Sequence, residues 1–365
     1  MNSFVESCVE TVSGSAVSVE RHTRGRPRAK KLLALLAHHH NILITTHEHP
    51  DPDALASTLG LCTLLSQKLP HAQVSVSVKG RIGGGLNSVF VQQTHLKVVP
   101  WDEKKLKNFD AILLLDTQPS FAYSPLPPSI TPLAVIDHHR PGRGRRPKCG
   151  FCDIRSEVGA TASIIFSYFM ELDVPIAPDL AATLLYAIES DLAGIAGAPS
   201  ELDNIALSSL TLKADNTRLY KMRYVDLPQS YFIAYASGLA SAVYYDDAIA
   251  AYLGPIDSLE KPAIIADFLL RFDQVQWSLV TGLNNNNLII SIRTSTSKIT
   301  AATMMTRVLR GIGEGGGHRT KAGGVVRLEN GSPTEVERIR AIIRQRYLRT
   351  LGIKHTRGQR LIPVE

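Results

Sequence analysis

Three short apolar runs in the first half of the chain each end in a group that ionises. That repetition constrains the fold more than any other feature. Asn41–Thr46 (Asn-Ile-Leu-Ile-Thr-Thr) runs into His47-Glu48-His49-Pro50-Asp51-Pro52-Asp53. Asp110–Leu115 runs into Asp116, and Leu133–Ile136 into Asp137-His138-His139. Runs this short and this apolar read as buried strands. Periodic stretches predict helices over 28–38, 53–65, 157–172 and 179–190, and Gln73–Val78 alternates as a further strand. Strands alternating with helices predict a parallel, doubly wound α/β sheet. In such a sheet ligands bind beyond the carboxyl ends of the strands, where these acids and histidines fall. The helix ending near Ser190 adds Asp191.

A single aspartate after a strand is usually a helix cap, and an isolated His-His pair usually lies on the surface. Four segments that agree have a different meaning. Four or five carboxylates cannot share a small pocket without cations, because their repulsion raises their pKa values and opposes folding. A mixed Asp/His set suits Mn²⁺ or a similar ion. Two such ions about 3.5–4 Å apart clamp in-line phosphoryl displacement.

The chain has 365 residues, enough for two domains. With 44% hydrophobic and 20% charged residues it has the balance of a globular protein, which excludes disorder throughout. No apolar run approaches the ~20 residues that span a bilayer. The first residues lack the order of a secretory signal, and four cysteines are too few for a disulfide framework. The expectation is a cytoplasmic protein. The net charge of +7 is a weak pointer to an anionic partner. Residues 1–27 read as a flexible leader ending in Arg24-Gly25-Arg26-Pro27-Arg28. Such a core fits the minor groove of AT-rich DNA, although its ordinary role is a solvated basic flank.

The character changes after about residue 225. Helices are expected over 229–243, 264–272, 300–311 and 333–348, with strands over 248–253, 276–283, 288–294 and 325–328. The tetrad Asn284-Asn285-Asn286-Asn287 marks a hairpin. The expected division is a leader over 1–27, a first domain over 28–215, a linker over 216–230, a smaller α/β domain over 231–350 and a tail over 351–365.

His47-x-x-Pro50-Asp51-x-Asp53-Ala54, the lone Asp116, Asp137-His138-His139 and Asp191 resemble the four motifs of the DHH phosphoesterase superfamily. Gly315-Gly316-Gly317-His318-Arg319-Thr320-Lys321-Ala322-Gly323-Gly324 is similar to the glycine-rich signature of the DHH-associated C-terminal domain. Ser291-Ile292-Arg293-Thr294-Ser295 resembles that domain's Ser-x-Arg-Ser strand. The match spans roughly residues 30–330, in the family's order. Its two-domain layout is closest to the nanoRNase (oligoribonuclease) and pAp phosphatase group.

The resemblance implies an active site in the cleft between the domains and two Mn²⁺ ions, with Mg²⁺ or Co²⁺ as alternatives. His47, Asp51 and Asp116 would hold one ion. Asp53, Asp116, His138 and Asp191 would hold the other. Asp137 would orient an imidazole, and His139 would contact the scissile phosphate or the leaving oxygen. Arg293 would capture a phosphate in bidentate fashion, and Gly315, Gly316, Gly317 and His318 would complete a terminal-phosphate or base pocket. The implied substrates are short RNA oligonucleotides and 3′-phosphoadenosine 5′-phosphate (pAp), attacked by metal-activated water. No membrane partner is implied, and the family allows a homodimer.

His49, before Pro50, and Pro52, where the family often has Gly, depart from the pattern. The basic loop Arg140–Lys148 could steer a polyanion. Cys149 and Cys152 have no second pair with which to close a zinc site and read as incidental thiols. The alternatives are a phosphodiesterase for cyclic or linear dinucleotides and a nucleic-acid-binding protein on a retired scaffold.

Overall fold

A computed structural model describes residues 27–80, 82, 86–121, 123–141, 147–193, 199–296, 298–317, 319–355 and 357–363. The basic leader and the centre of the Arg140–Lys148 loop thus lie outside the described residues. The chain divides into two units near Val225, each taken here by itself.

The first unit is built on a parallel sheet of β1 (Asn41–Thr46), β2 (Gln73–Val76), β3 (Ala111–Leu115), β4 (Ala134–Asp137) and β5 (Phe151–Ile154). The spatial order is β2-β1-β3-β4-β5. β1 is followed by β2 on one side and β3 on the other, so the winding reverses between β1 and β3, and the crevice for a ligand opens there.

β3 and β4 are buried throughout, as continuous apolar runs require. Ile42, Ile44, Leu113, Leu115 and Ile136 face a large core with α1 (Arg28–Leu36), α2 (Pro52–Lys68), α3 (Leu86–Thr94), α4 (Thr161–Glu171) and α5 (Pro178–Leu192). On the other face Leu43, Ile112, Leu114 and Val135 pack on Leu106 and Leu126, with Phe109 and Ile130 at the rim. That face is covered by a 3-10 turn over Glu103–Asn108 and by loops.

α6 (Glu201–Thr211) starts in a capping box, Ser200 with Asp203. α7 (Asn216–Arg223) forms where the sequence suggested a linker. The structure joins Cys149 and Cys152, expected as incidental thiols, in a disulfide.

The second unit carries a seven-stranded sheet. Its strands are β6 (Val243–Tyr245), β7 (Ala248–Pro255), β8 (Trp277–Asn284), β9 (Asn287–Thr294), β10 (Glu314–Gly317), β11 (Lys321–Arg327) and β12 (Gln359–Arg360). The order is β10-β11-β9-β8-β7-β6-β12. The β7–β8 pair is parallel and the rest are antiparallel. The asparagine tetrad closes the β8–β9 hairpin, with Asn284 paired to Asn287 and Asn285 at φ +51. α8 (Gln229–Ser241), α9 (Lys261–Leu269), α10 (Ala301–Leu309) and α11 (Pro333–Leu351) cover the sheet. Met304, Met305, Val308 and Leu309 of α10 pack in one core with Ile339, Ile343 and Tyr347 of α11.

The glycine run is an edge strand, and its glycines have a packing reason. A Cβ on Gly324 would stand 2.4 Å from Leu309 and 2.8 Å from Met305 Sδ. A Cβ on Gly315 would lie 2.8 Å from Met305 and 2.9 Å from Leu309. At Gly316 a Cβ would meet open space. Gly324→Ala is therefore expected to lower stability by about 1–3 kcal/mol through overpacking, with Gly316→Ala neutral to slightly stabilising. Denaturant midpoints of the two variants check this. Equal effects would remove α10 packing as the reason for the glycines.

Candidate metal centre

Strand register alone brings the first residues together. Thr46 pairs with Leu115 across β1 and β3, and Leu115 with Ile136 across β3 and β4. His47, Asp116 and Asp137 therefore stand in one row at the carboxyl edge. Asp116 takes φ +54, a left-handed conformation that Asp tolerates better than most residues. Strain of this kind concentrates at functional sites.

Pro52 begins α2, and Asp51 caps it, its Oδ1 accepting from the Ala54 amide at 3.0 Å. Asp53 follows in the first turn, fully buried. Asp191 arrives from the last turn of α5. That is the negative end of the helix dipole, where an acid is disfavoured.

Three sets of donors lie close enough to share a cation: His47, Asp51 and Asp116; Asp53, His138 and Asp191; and Asp116, His138 and His139. His47 Nε2 is 3.6 Å from Asp116 Oδ2. His138 Nε2 is 3.4 Å from Asp191, 3.6 Å from Asp116 and 4.0 Å from Asp53. Each ring is oriented by a backbone carbonyl. His47 Nδ1 lies 2.9 Å from the Glu48 oxygen, and His138 Nδ1 lies 3.3 Å from the Val158 oxygen. A carbonyl only accepts, so Nδ1 carries a proton, and in the neutral ring Nε2 turns a lone pair toward the carboxylates. A lone pair facing carboxylates is relieved by a proton or by a cation between them, and this donor chemistry fits a divalent metal.

The sequence reading missed the groups that hold these carboxylates. Asp53 accepts from the Thr161 and Ala162 amides at 2.7 and 2.8 Å. It thereby caps α4, whose own N-cap, Ala160, has no side chain for the task. A helix start with no local cap was the available signal. Thr161 Oγ1 donates to Asp116 at 2.8 Å. One residue thus steadies two of the carboxylates. Buried Gln118 donates to Asp137 at 2.7 Å and to the His139 carbonyl at 3.0 Å, and nothing in its sequence context announces it. Asp203 holds the Gly159 amide at 2.8 Å.

The electrostatics follow from burial and crowding. Burial raises Asp53 well above the ordinary carboxylate range, and Asp191 and Asp51 raise it further. Burial raises Asp116 likewise, with Asp53, Asp51 and Asp137 adding to it. Burial would raise Asp137 too, but hydrogen bonds from His139 and Gln118 outweigh it and hold that acid low. His138 is lowered by burial and by its neighbour His139. Burial opposes the charge on His139, yet its 2.7 Å bond to Asp137 raises it. Adjacent imidazoles thus favour opposite protonation states. Tyr123, whose phenol is raised by burial, stands edge-on to His47, and Phe121 edge-on to His139. His49 at φ +56 turns its ring over Gly80.

In the second unit Arg293 is engaged by its own strand and by helix α9. Its Nε donates to Asp267 at 2.7 Å and its Nη1 to Ser291 Oγ at 2.7 Å. A phosphate there would compete with Asp267. Gly315, Gly316 and Gly317 pair with Gly324, Gly323 and Ala322. His318 lies outside the described residues.

The family model of the DHH family, N-terminal domain, matches residues 41–188. A curated protein of Methanocaldococcus jannaschii, named only as uncharacterized, is 28% identical over 319 residues, covering 86% of this chain and 64% of that protein. The chain thus spans under two thirds of that relative's length. An exopolyphosphatase-related protein from Bacteroides fragilis shares the fold at TM-score 0.69 and 18% identity, over 89% of this chain and 97% of its own. RecJ from Thermus thermophilus, solved with Mn²⁺, aligns at TM-score 0.50 and 14% identity, over 88% of this chain and 54% of its own. These two likenesses establish the fold.

Two outcomes are expected. Raised carboxylates at Asp53 and Asp116 contribute stability that is complete below the unfolded carboxylate pKa and lost as pH rises through their raised folded values. A divalent cation replaces those protons. Excess Mn²⁺ or Mg²⁺ should therefore raise Tm strongly at about pH 8 and progressively less toward about pH 5, as thermal scans would show. A shift independent of pH would contradict binding at these carboxylates. Second, Thr161→Val keeps the amide that holds Asp53 but loses the bond to Asp116. It should weaken cation affinity about 10–100-fold by calorimetry.

Proposed function

We propose that this chain, which carries a DHH family N-terminal domain over residues 41–188, is a metal-dependent phosphoesterase. Its proposed substrates are short oligoribonucleotides and pAp, and its proposed cofactor is a pair of Mn²⁺ ions. The observation that carries the reading is the pair of histidines, His47 and His138, each with Nδ1 on a backbone carbonyl and Nε2 facing buried carboxylates.

His47, Asp51 and Asp116 would hold one ion, and Asp53, His138 and Asp191 the other, with Asp116 close to both sets. The ions, when bound, supply an acidified water and neutralise charge on the phosphate. Thr161 keeps Asp116 oriented. Gln118 and the His139 amide hold Asp137 in its ionised form, and Asp137 keeps a proton on His139 Nδ1. Any proton His139 gives to a leaving oxygen then comes from Nε2, and the Asp137 charge sets how readily it is given.

The test is a Mn²⁺-dependent assay offering pAp, a labelled RNA dimer, a longer RNA and a cyclic dinucleotide side by side. Turnover of the dimer or pAp is expected, falling to background in Asp116→Ala and His138→Ala. Faster turnover of the cyclic dinucleotide would move the assignment to second-messenger cleavage, and no turnover of any of the four would overturn it. In Asp137→Asn the support for charged His139 is lost. The alkaline limb of the kcat profile should then move to lower pH.

A further inference from the structure

The second unit holds an arginine-lined hollow that neither the metal centre nor the family motifs employ. It has a volume of about 520 Å³ and is lined by Arg307, Arg310, Arg346, Arg349 and Thr350, with no acidic side chain among the described residues of the lining. Arg307 lies in the last turn of α10, and Arg310 directly follows that helix. Arg346 and Arg349 lie on α11, which packs against it. In each pair the residues are three apart, so they stand on one face about one turn apart. Arg307 and Arg349 stand in last turns, where the helix dipole favours a cation, and the two pairs line one hollow.

Arg346 shows how the hollow is fixed. Its Nη1 donates to the Val308 and Arg310 carbonyls at 2.9 and 2.8 Å. These are carbonyls at the end of α10 that the helix itself leaves without partners. Arg346 thus ties α11 to the end of α10, and Arg307, Arg310 and Arg349 stand exposed around it.

We infer that this hollow binds the phosphate backbone of single-stranded RNA. A planar guanidinium matches a phosphate with two parallel donors, and four of them suit several phosphates rather than one. Among the described residues no aromatic side chain lines the hollow, so none of them stacks on a base there, and the contact is to the backbone, independent of sequence. The choice of RNA over an inorganic polyphosphate rests on the phosphoesterase reading above. The hollow gives that reading a substrate preference: oligonucleotides with several phosphates are held more tightly than dimers.

The experiment measures binding and hydrolysis separately. Fluorescence anisotropy with a labelled single-stranded RNA 12-mer is recorded on the full chain in EDTA, across a salt series. Arg307→Gln, Arg310→Gln and Arg349→Gln are combined, and Arg346 is kept because it ties the two helices. A control chain carries Arg327→Gln, Arg338→Gln and Arg360→Gln, exposed arginines outside the hollow. Both chains must keep the wild-type Tm. The expected result is a drop of at least about tenfold in 12-mer affinity for the first chain only. Its log–log salt slope should flatten by about 2, at roughly 0.7 for each phosphate that no longer meets an arginine.

Equal reductions in both chains would reduce the effect to net charge and overturn the site. Unchanged binding in the first chain would overturn it as well. Tighter binding of a linear polyphosphate of equal charge, abolished in the same variant, would keep the hollow but overturn RNA as its occupant. RNA-dimer turnover in Mn²⁺ is followed in parallel. Its absence in the wild type, together with no turnover of pAp, a longer RNA or a cyclic dinucleotide, would sink the phosphoesterase reading, whereas its persistence in the arginine variant that no longer holds the 12-mer is the result expected here.

Discussion

Everything at the carboxyl edge of the first sheet depends on one buried charge problem. Asp116 lies almost fully inside the protein, 1% exposed, with Asp53 and Asp137 as charged neighbours and Asp51 and Asp191 close by. An ionised carboxylate in such a place is costly unless paired. Two histidines approach it through Nε2, with Nδ1 of each turned to a backbone carbonyl. The protein crowds carboxylates and imidazoles together there, an arrangement that a divalent cation or protons relieve. Strand register, the αL turn at Asp116 and the reversal of winding between β1 and β3 all serve to assemble that centre.

The helices reduce the cost without removing it. α2 and α4 both direct their N-termini at the cluster, where partial positive charge favours carboxylates. Asp51 caps the first and Asp53 the second. Asp53 is thus a structural cap and a candidate ligand at once. Removing it would uncap α4 as well as weaken a cation site, so loss of function in an Asp53 variant alone would not distinguish the two. Thr161 separates them. Its amide belongs to the cap and its hydroxyl to the carboxylate Asp116.

The sequence carried the acidic centre because strands ending in Asp or His leave a local trace. Apolar runs mark the strands, and the residue after each run is placed by the sheet itself. The same holds for the parallel order and the asparagine hairpin. Interactions across long separations left little trace. Gln118 reaches Asp137 and Asp203 reaches Gly159 through the fold, and neither follows from its neighbours. The helix over Asn216–Arg223 was hidden by its polar composition, since only Leu219 and Met222 are buried there. Gly315 and Gly324 show a different ambiguity. A residue without a side chain suits a phosphate or a close-packed helix equally well in sequence, and only the positions of Met305 and Leu309 reveal the second use.

His138 and His139 show how finely local partners divide labour between identical side chains. Both are largely buried, and burial pushes both toward the neutral form. The difference lies in what each Nδ1 meets. A carbonyl oxygen fixes the tautomer of His138 and adds little charge, so burial wins and Nε2 remains a donor atom for a metal. A carboxylate that Gln118 and a backbone amide hold in its ionised form stands at the same atom of His139, and there charge wins. One backbone step therefore separates an imidazole biased toward its neutral form from one biased toward its protonated form, the kind of division that sets acid and base roles apart. The sequence Asp-His-His encodes this because the aspartate bonds back to the second residue after it, not to its immediate neighbour.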